Sequence, residues 1–356
     1  MYMTDIPAQR LRHQQLIKTA FKTPREIVSF FGAIQSQEYA SSKWGIGARL
    51  PGCRETHVEQ AIGDKLIVRT TVFRGTLHLV AAEDIHWMLQ LIAPNVKTKM
   101  NSMQRKLGLD EAGLAKASQL ITKALKNGNH HTRKELTDLL QKNGIDTSEN
   151  RMNHIIYHAS VERVICNGPL RGKQSTYTLL QEWVPNNTPL QREEALHKLA
   201  GRYFTSHGPA TVHDFAQWAG ISVADAKTGL QGAQPSLQSQ EIGEISYWMA
   251  PVKKVTVTDT HLLLPAFDEY FIGYKDRSTL IDSRFTSKVM TNNGIFNPIM
   301  IHNGQVIGTW KRALKKDSVT ITTELFKPAK KALLKAFEPA ARQYADFLGL
   351  TLNGFS

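Results

Sequence analysis

The sequence predicts an α+β chain built from three similar small units and a different C-terminal segment, and three observations carry that prediction. The order helix, capped helix, helix and β-hairpin recurs three times over residues 1–250. From about residue 251 the composition shifts to β-branched residues, with Asn303-Gly304 placed as a hairpin turn. The chain then closes on an amphipathic stretch, 327–348, that reads as a terminal helix with Lys330, Lys331 and Lys335 outward. At 356 residues there is ample chain for a sizeable core.

In the first unit, residues 5–20 carry Ile6, Leu11, Leu16 and Ile17 as a helical stripe. Thr23, Pro24 and Glu26 mark a second helix by a capping box with proline at its first position, and Thr56 with Glu59 marks a third. The period then changes to two, so 66–72 and 76–80 read as strands joined through Phe73-Arg74-Gly75. A helix over 84–93 is expected to stop at Pro94. The second unit repeats the pattern. A helix over 110–126 ends at Gly128, Thr132 and Glu135 open a capped helix, 148–162 supplies the third, and 164–166 with 175–180 flank a basic Arg171-Gly172-Lys173 turn. The third unit starts at Thr188-Pro189, runs as a helix through Phe204, has capping signals at Thr211–Asp214 and Ser222–Asp225, and places a strand at 244–249. Residues 229–240 read as a linker. This order is the winged-helix plan, which lays a helix and a two-stranded wing against a nucleic-acid duplex. The expected boundaries are 1–94, 95–187, 188–250 and 251–356, the last holding strands at 252–264, 299–301, 306–308 and 319–322 as a small β-barrel or sheet.

A formal net charge of +13 and a pI near 9.6 imply attraction to polyanions. No apolar run is long enough to span a bilayer, so a soluble, cytoplasmic chain is expected. Cys53 and Cys166 lack partners at metal-ligand spacing and read as reduced packing residues. His154 and His158 have the spacing of zinc-helix ligands, but the glutamate that hydrolysis would need is missing between them.

The candidate chemistry sits at Gln35-Ser36-Gln37. Two neutral amides cannot act as general acids near neutral pH, but they can hold a water or aim a carbonyl dipole at developing positive charge. An extended backbone would put Gln35 and Gln37 on one side, whereas a continuing helix would part them. Taken alone, the triplet reads first as a solvated helix end. Asp268 and Glu269 form the rival constellation, either as a base or DNA-facing anchor or as turn residues paired with Lys275, Asp276 or Arg277. On the first wing Arg74 and His78 are placed to track phosphates or enter a groove, with His78 reading equally as a hydrogen-bonded, half-buried residue. Trp44 reads as core, with a cleft-shaping role as the lesser alternative. Further phosphate contacts are expected from Arg133, Lys134, Arg171, Lys173, Lys311 and Arg312.

Across nearly its whole length the chain resembles the AlkZ-type winged-helix DNA glycosylases. The resemblance is carried by Gly32-Ala33-Ile34-Gln35-Ser36-Gln37, Arg74-Gly75-Thr76-Leu77-His78, Ser206-His207-Gly208-Pro209-Ala210-Thr211, Asp214-Phe215-Ala216-Gln217-Trp218, 263–270 and Gly308-Thr309-Trp310-Lys311-Arg312. It implies three tandem winged helices arranged as a C around a basic concave cleft, and catalytic glutamines at Gln35 and Gln37. Ser36 stands where the family has an apolar residue. The implied activity is hydrolysis of the N-glycosidic bond of cationic N7- or N3-alkylated purines, with interstrand crosslinks as a further candidate substrate, by a nucleoid-associated monomer that needs no metal or cofactor; with no activated lysine beside the glutamines, a monofunctional enzyme is expected. Gln37 is assigned the water and Gln35 the electrostatic support. Duplex DNA carrying alkylated bases or crosslinks is the expected partner. A non-catalytic multi-winged-helix regulator is the alternative from another functional class.

Overall fold

The computed structural model describes residues 5–186, 188–252, 257–291 and 293–356. The first unit contains α1 (Ile6–His13), α2 (Pro24–Phe31), β1 (Ala33–Gln35), α3 (Tyr39–Gly47), α4 (Glu55–Gly63), β2 (Ile67–Thr71) and β3 (Leu77–Ala81), with sheet order β1-β3-β2. The long helix α5 (Ile85–Lys106) leads to α6 (Glu111–Leu125), β4 (His131–Thr132), α7 (Arg133–Lys142), α8 (Arg151–Val161), β5 (Ile165–Asn167) and β6 (Thr176–Leu179), in order β4-β6-β5. After the short α9 (Leu180–Trp183) come α10 (Arg192–His207), α11 (Val212–Ala219), α12 (Val223–Ala233) and the hairpin β7 (Gln238–Ile242) with β8 (Ile245–Met249). Ala210 bridges to Trp248 of β8, taking the place that β1 and β4 hold in the earlier sheets. In each unit the segment before the second helix therefore pairs with the last strand of the hairpin.

The remainder comprises β9 (His261–Leu264), α13 (Glu269–Ile272), α14 (Thr286–Val289), β10 (Ile299–His302), β11 (Gln305–Leu314), β12 (Ser318–Leu325), α15 (Lys331–Lys335), α16 (Glu338–Leu348) and β13 (Thr351–Phe355). Its strands form one sheet in the order β13-β12-β11-β10-β9, with β13 parallel to β12 and the other neighbours antiparallel. β9 and β13 lie at opposite edges, so of the barrel or sheet expected the segment forms an open sheet.

Three apolar clusters organise the interior. One joins Val68, Phe73 and Val80 of the first unit to Tyr203, Phe215 and Trp218 of the third and to Tyr270 and Tyr274 beyond it. A second packs Phe31, Trp44 and Leu79 against Trp310, Tyr344 and Phe347. The second unit keeps its own core, with Ile121, Leu140, Ile155 and Ile165 among its members.

Several boundaries differ from the sequence expectation. Helix α5 runs through Pro94 instead of stopping there, because Val96, Met100 and Gln104 continue its buried face for three more turns. Packing along that face outweighs the one backbone bond the proline removes. The first helix ends at His13, because Gln14 is drawn into the interior, where its side chain meets Tyr274 and the Glu269 carbonyl. Helix α4 starts at Glu55, with the His57 ring accepting the Arg54 N–H, so Thr56 is not its cap. The expected linker is ordered: Gly229 lies inside α12, where a Cβ would come within 2.8 Å of the Leu196 carbonyl of α10. The 327–348 helix is two helices, and β13 after it was not anticipated. Of the strand expected over 252–264 the structure has His261–Leu264, and 253–256 lie outside the described residues.

Candidate active site

Gly32 closes α2 with φ of 81°, a conformation a side chain would resist, and turns the chain directly into β1. The strand takes in Gln35, and Gln37 lies two residues on, in a bend just beyond its end. Gln35 stands opposite His78 on β3, and the Ser36 N–H donates to the Leu77 carbonyl at 2.7 Å.

Both glutamine side chains end on the same turn. The Gln35 Oε1 accepts from Arg74 Nη2 at 3.0 Å, and the Gln37 Oε1 accepts from the Leu77 N–H at 3.3 Å. Guanidinium and backbone N–H groups can only donate, so each amide has its oxygen toward the protein and its NH2 away from it. Gln35 is 8% exposed, whereas Gln37 is exposed. Ser36 between them is buried and fixed: its Oγ meets Ser42 Oγ at 2.8 Å and accepts from Arg69 Nε at 3.1 Å, and its carbonyl accepts from Arg69 Nη2 at 2.9 Å.

Beneath Gln35 lies a buried carboxylate. Glu269 accepts the Gln35 N–H at 3.0 Å on one oxygen, and on the other Trp218 Nε1 at 2.9 Å and His207 Nε2 at 3.2 Å. Burial alone would raise this carboxyl. The His207, Gln35 and Trp218 bonds outweigh it, and the net shift is downward. Asp268 beside it forms a two-point pair with Arg49, both contacts at 2.8 Å, and caps α13 through the Tyr270 N–H. Both acids are buried, and neither pairs with Lys275, Asp276 or Arg277, the partners expected of turn residues. Both are scaffold, because each finds its donors in the interior.

Arg74 and His78 also depart from their expected roles. Arg74 has left-handed backbone angles (φ 54°, ψ 11°), and its guanidinium turns inward, bonding Gln35 and the Trp218 carbonyl instead of standing free for phosphate. His78 is 1% exposed, with Nδ1 at 2.8 Å from the Thr76 carbonyl. Burial and the Arg74 charge push its imidazole down to about 4, so it is neutral and cannot track phosphates. Trp44 is buried against Tyr344 and Phe347 with its N–H on the Leu263 carbonyl at 2.8 Å, which removes the cleft role.

A family model described as "DNA glycosylase AlkZ-like" matches residues 28–347, most of the chain and the whole of the site just described. The chain belongs to the AlkZ-like family. An "Interstrand DNA cross-link repair glycosylase" of Streptomyces sahachiroi is 22% identical over 371 aligned positions, covering 97% of this chain and 96% of that protein. The structure described as "Streptomyces sahachiroi DNA glycosylase AlkZ" superposes with a TM-score of 0.81 at 20% identity, covering 98% of each chain.

The cations expected at the surface of this AlkZ-like chain fall into two groups. Arg133 and Lys134 open α7, and Arg171 joins them by its 2.6 Å ion pair to Glu135, with Lys173 two residues on along the same turn. Lys311 and Arg312 lie on β11, and Arg312 pairs with Glu38 at 3.1 Å, next to Gln37. The cavity of about 880 Å³ lined by Lys22, Arg25, Cys53 and His57 includes neither glutamine. Among the described residues no group of three or more His, Cys, Asp or Glu side chains is placed to hold a metal, and no helix is long and apolar enough to cross a membrane.

Four residues at the site were given no role in it from sequence: Arg69, His207, Trp218 and Tyr157, whose hydroxyl lies against Gly75 of the turn. Arg69 had a signal, since a charge inside an otherwise apolar strand requires a buried partner. His207 and Trp218 lie within the stretches on which the resemblance was read, yet nothing local pointed them at Glu269. Tyr157 gave no signal at all.

Proposed function

We propose that this AlkZ-like chain is a monofunctional DNA glycosylase that removes cationic N7- or N3-alkylated purines, with Gln35 and Gln37 as its catalytic residues and interstrand crosslinks within its range. The observation that carries this reading is the pair of neutral amides two residues apart, both bonded across to residues 74–77, with the neighbouring acid Glu38 engaged by Arg312. Glu269 is committed to the Gln35 backbone, and His78 is held neutral.

A purine alkylated at N7 or N3 already bears positive charge. When the C1′–N bond breaks, its electron pair neutralises the leaving base, so no proton need be delivered. Oxocarbenium character then develops on the sugar, and a water adds to C1′ and releases a proton to solvent. Each glutamine oxygen has one lone pair engaged by the protein and a second available to hold that water. Gln37, the exposed member, is assigned the water, and Gln35 supports it. An ordinary glycosidase would instead need two carboxyl groups with separated pKa values.

In this reading the three helix–hairpin units, with boundaries near 94, 187 and 250, act as winged helices around a basic concave surface. Arg133, Lys134, Arg171, Lys173, Lys311 and Arg312 engage phosphates along it, and the segment from residue 251 closes the arrangement. An open surface suits crosslinked duplexes, because a tethered base cannot be taken into a closed pocket. The relative named for crosslink repair and the +13 charge support both points. The test is release of free base from a duplex carrying N7-methylguanine and from one carrying an N7-linked crosslink. Release of free base without strand cleavage is expected. Tight duplex binding with no release from either substrate would replace the enzyme with a DNA-binding regulator.

A further inference from the structure

We propose that Arg74 is a positioning residue, which fixes the orientation of the Gln35 amide and makes it depend on how the third unit docks. The proposal rests on the reading of Gln35 as catalytic.

The guanidinium is shared between two places. One nitrogen holds Gln35 Oε1 at 3.0 Å, and the other reaches the Trp218 and Gln217 carbonyls at the C-terminal end of α11. The last carbonyls of a helix have no partners within it and attract cations, so Arg74 caps α11 with the same group that orients the glutamine. Arg74 is the one recorded partner of that side-chain oxygen among the described residues.

The surroundings are shaped for this contact. Left-handed angles, which a residue with a side chain adopts rarely, aim Arg74 across to the third unit. The turn is held by the Val72 and Thr76 N–H groups, each 3.0 Å from its carbonyl. Gly220 lies where α11 ends, and a Cβ there would stand 3.0 Å from Arg74 Cγ. On the other side a Cβ at Gly75 would fall 1.6 Å from the Tyr157 hydroxyl of the second unit. Three units thus meet around one side chain. Glu269 completes the arrangement by holding the Gln35 backbone N–H, so an acid fixes the main chain and a base fixes the amide. With both contacts in place the Gln35 amide has one orientation, its oxygen on Arg74 and its second lone pair left for the water.

The assignment differs from a phosphate contact in what its loss does. Without Arg74 the amide is free to rotate and the chemical step slows, while DNA is still bound. The test is a double-mutant cycle on single-turnover release of N7-methylguanine, using Arg74→Ala, Gln35→Ala and the double variant, with duplex affinity and thermal melting measured on each. Arg74→Ala is expected to slow release by about 10- to 100-fold with affinity changed by less than about 3-fold, and the double variant to be no slower than Gln35→Ala alone. Arg74→Lys keeps the charge but lacks the fork, and is expected to lose rate in the same non-additive way. It carries the cycle if the alanine variant fails to fold. Losses that multiply in the double variant, or weaker DNA binding at an unchanged release rate, would overturn the positioning role and leave the glycosylase reading intact. No release by the parent, or full-rate release by Gln35→Ala, would overturn both.

Discussion

Gln35 is held by charges of both signs, Glu269 at its backbone N–H and Arg74 at its side-chain oxygen, and both of these groups are largely withdrawn from water. Such charges stabilise only when each keeps its partners, so the surroundings of the pair must stay neutral. His78, which faces Arg74, meets that requirement, and His13 of α1 behaves alike: burial, the leading cause in both, pushes each imidazole from 6.5 down to about 4. A base whose folded pKa lies below its unfolded value leaves the unfolded chain holding more protons between the two. Stability is therefore lost as pH falls from 6.5 toward 4, at about 2 kcal/mol per histidine by pH 5. Urea denaturation at pH 7 and pH 5 should show this, and His78→Asn, which keeps a donor for the Thr76 carbonyl, should lose less than the parent; an equal loss would remove His78 from the account. At this scale the sequence was legible where the partner is near. The capping boxes at Thr23 and Thr132 are formed by groups three residues apart and were read correctly. Glu269 was not, because the N–H it serves is 234 positions away.

The turn between β2 and β3 is the element on which the site depends. It receives both glutamine side chains, and its Gly75 is required twice, by a φ of 78° and by the Tyr157 hydroxyl beside it. Gly75→Ala is expected to destabilise the protein by about 2–3 kcal/mol and to slow base release more than it weakens DNA binding. Tyr157→Ala in the same chain should recover part of both losses, checked by thermal melting and single-turnover release. No recovery would place the strain in the backbone alone. The recurring helix–hairpin order was visible because hydrophobic period and capping chemistry are local signals. The run of α5 through Pro94 was hidden, since only the packing of Val96 and Met100 against distant residues outweighs the proline. The short strands β1 and β4 were hidden for a similar reason, being defined by pairing partners that arrive later in the chain.

Over the whole molecule, the first and third units share a core with the C-terminal segment, while the second adds Val161, Cys166 and Leu180 to it and has a further core of its own. The glutamines therefore sit where the shared core reaches the surface, and the second unit touches the site through Tyr157. Net charge and resemblance were both legible in the sequence; the docking of the units was not, because it rests on contacts such as Arg74 with α11 and Asp268 with Arg49. If all six surface cations named above meet phosphate, duplex affinity should fall with salt at a log–log slope of roughly −5. Lys173→Ala with Lys311→Ala, neither in an ion pair among the described residues, should reduce that slope by about 2. A flat response would contradict the DNA-facing surface. The most direct test of the account is single-turnover release of N7-methylguanine by the parent and by the Gln35→Ala/Gln37→Ala variant at matched DNA occupancy. Near-complete loss of release with binding retained is the predicted result, and release at the parent's rate would contradict it.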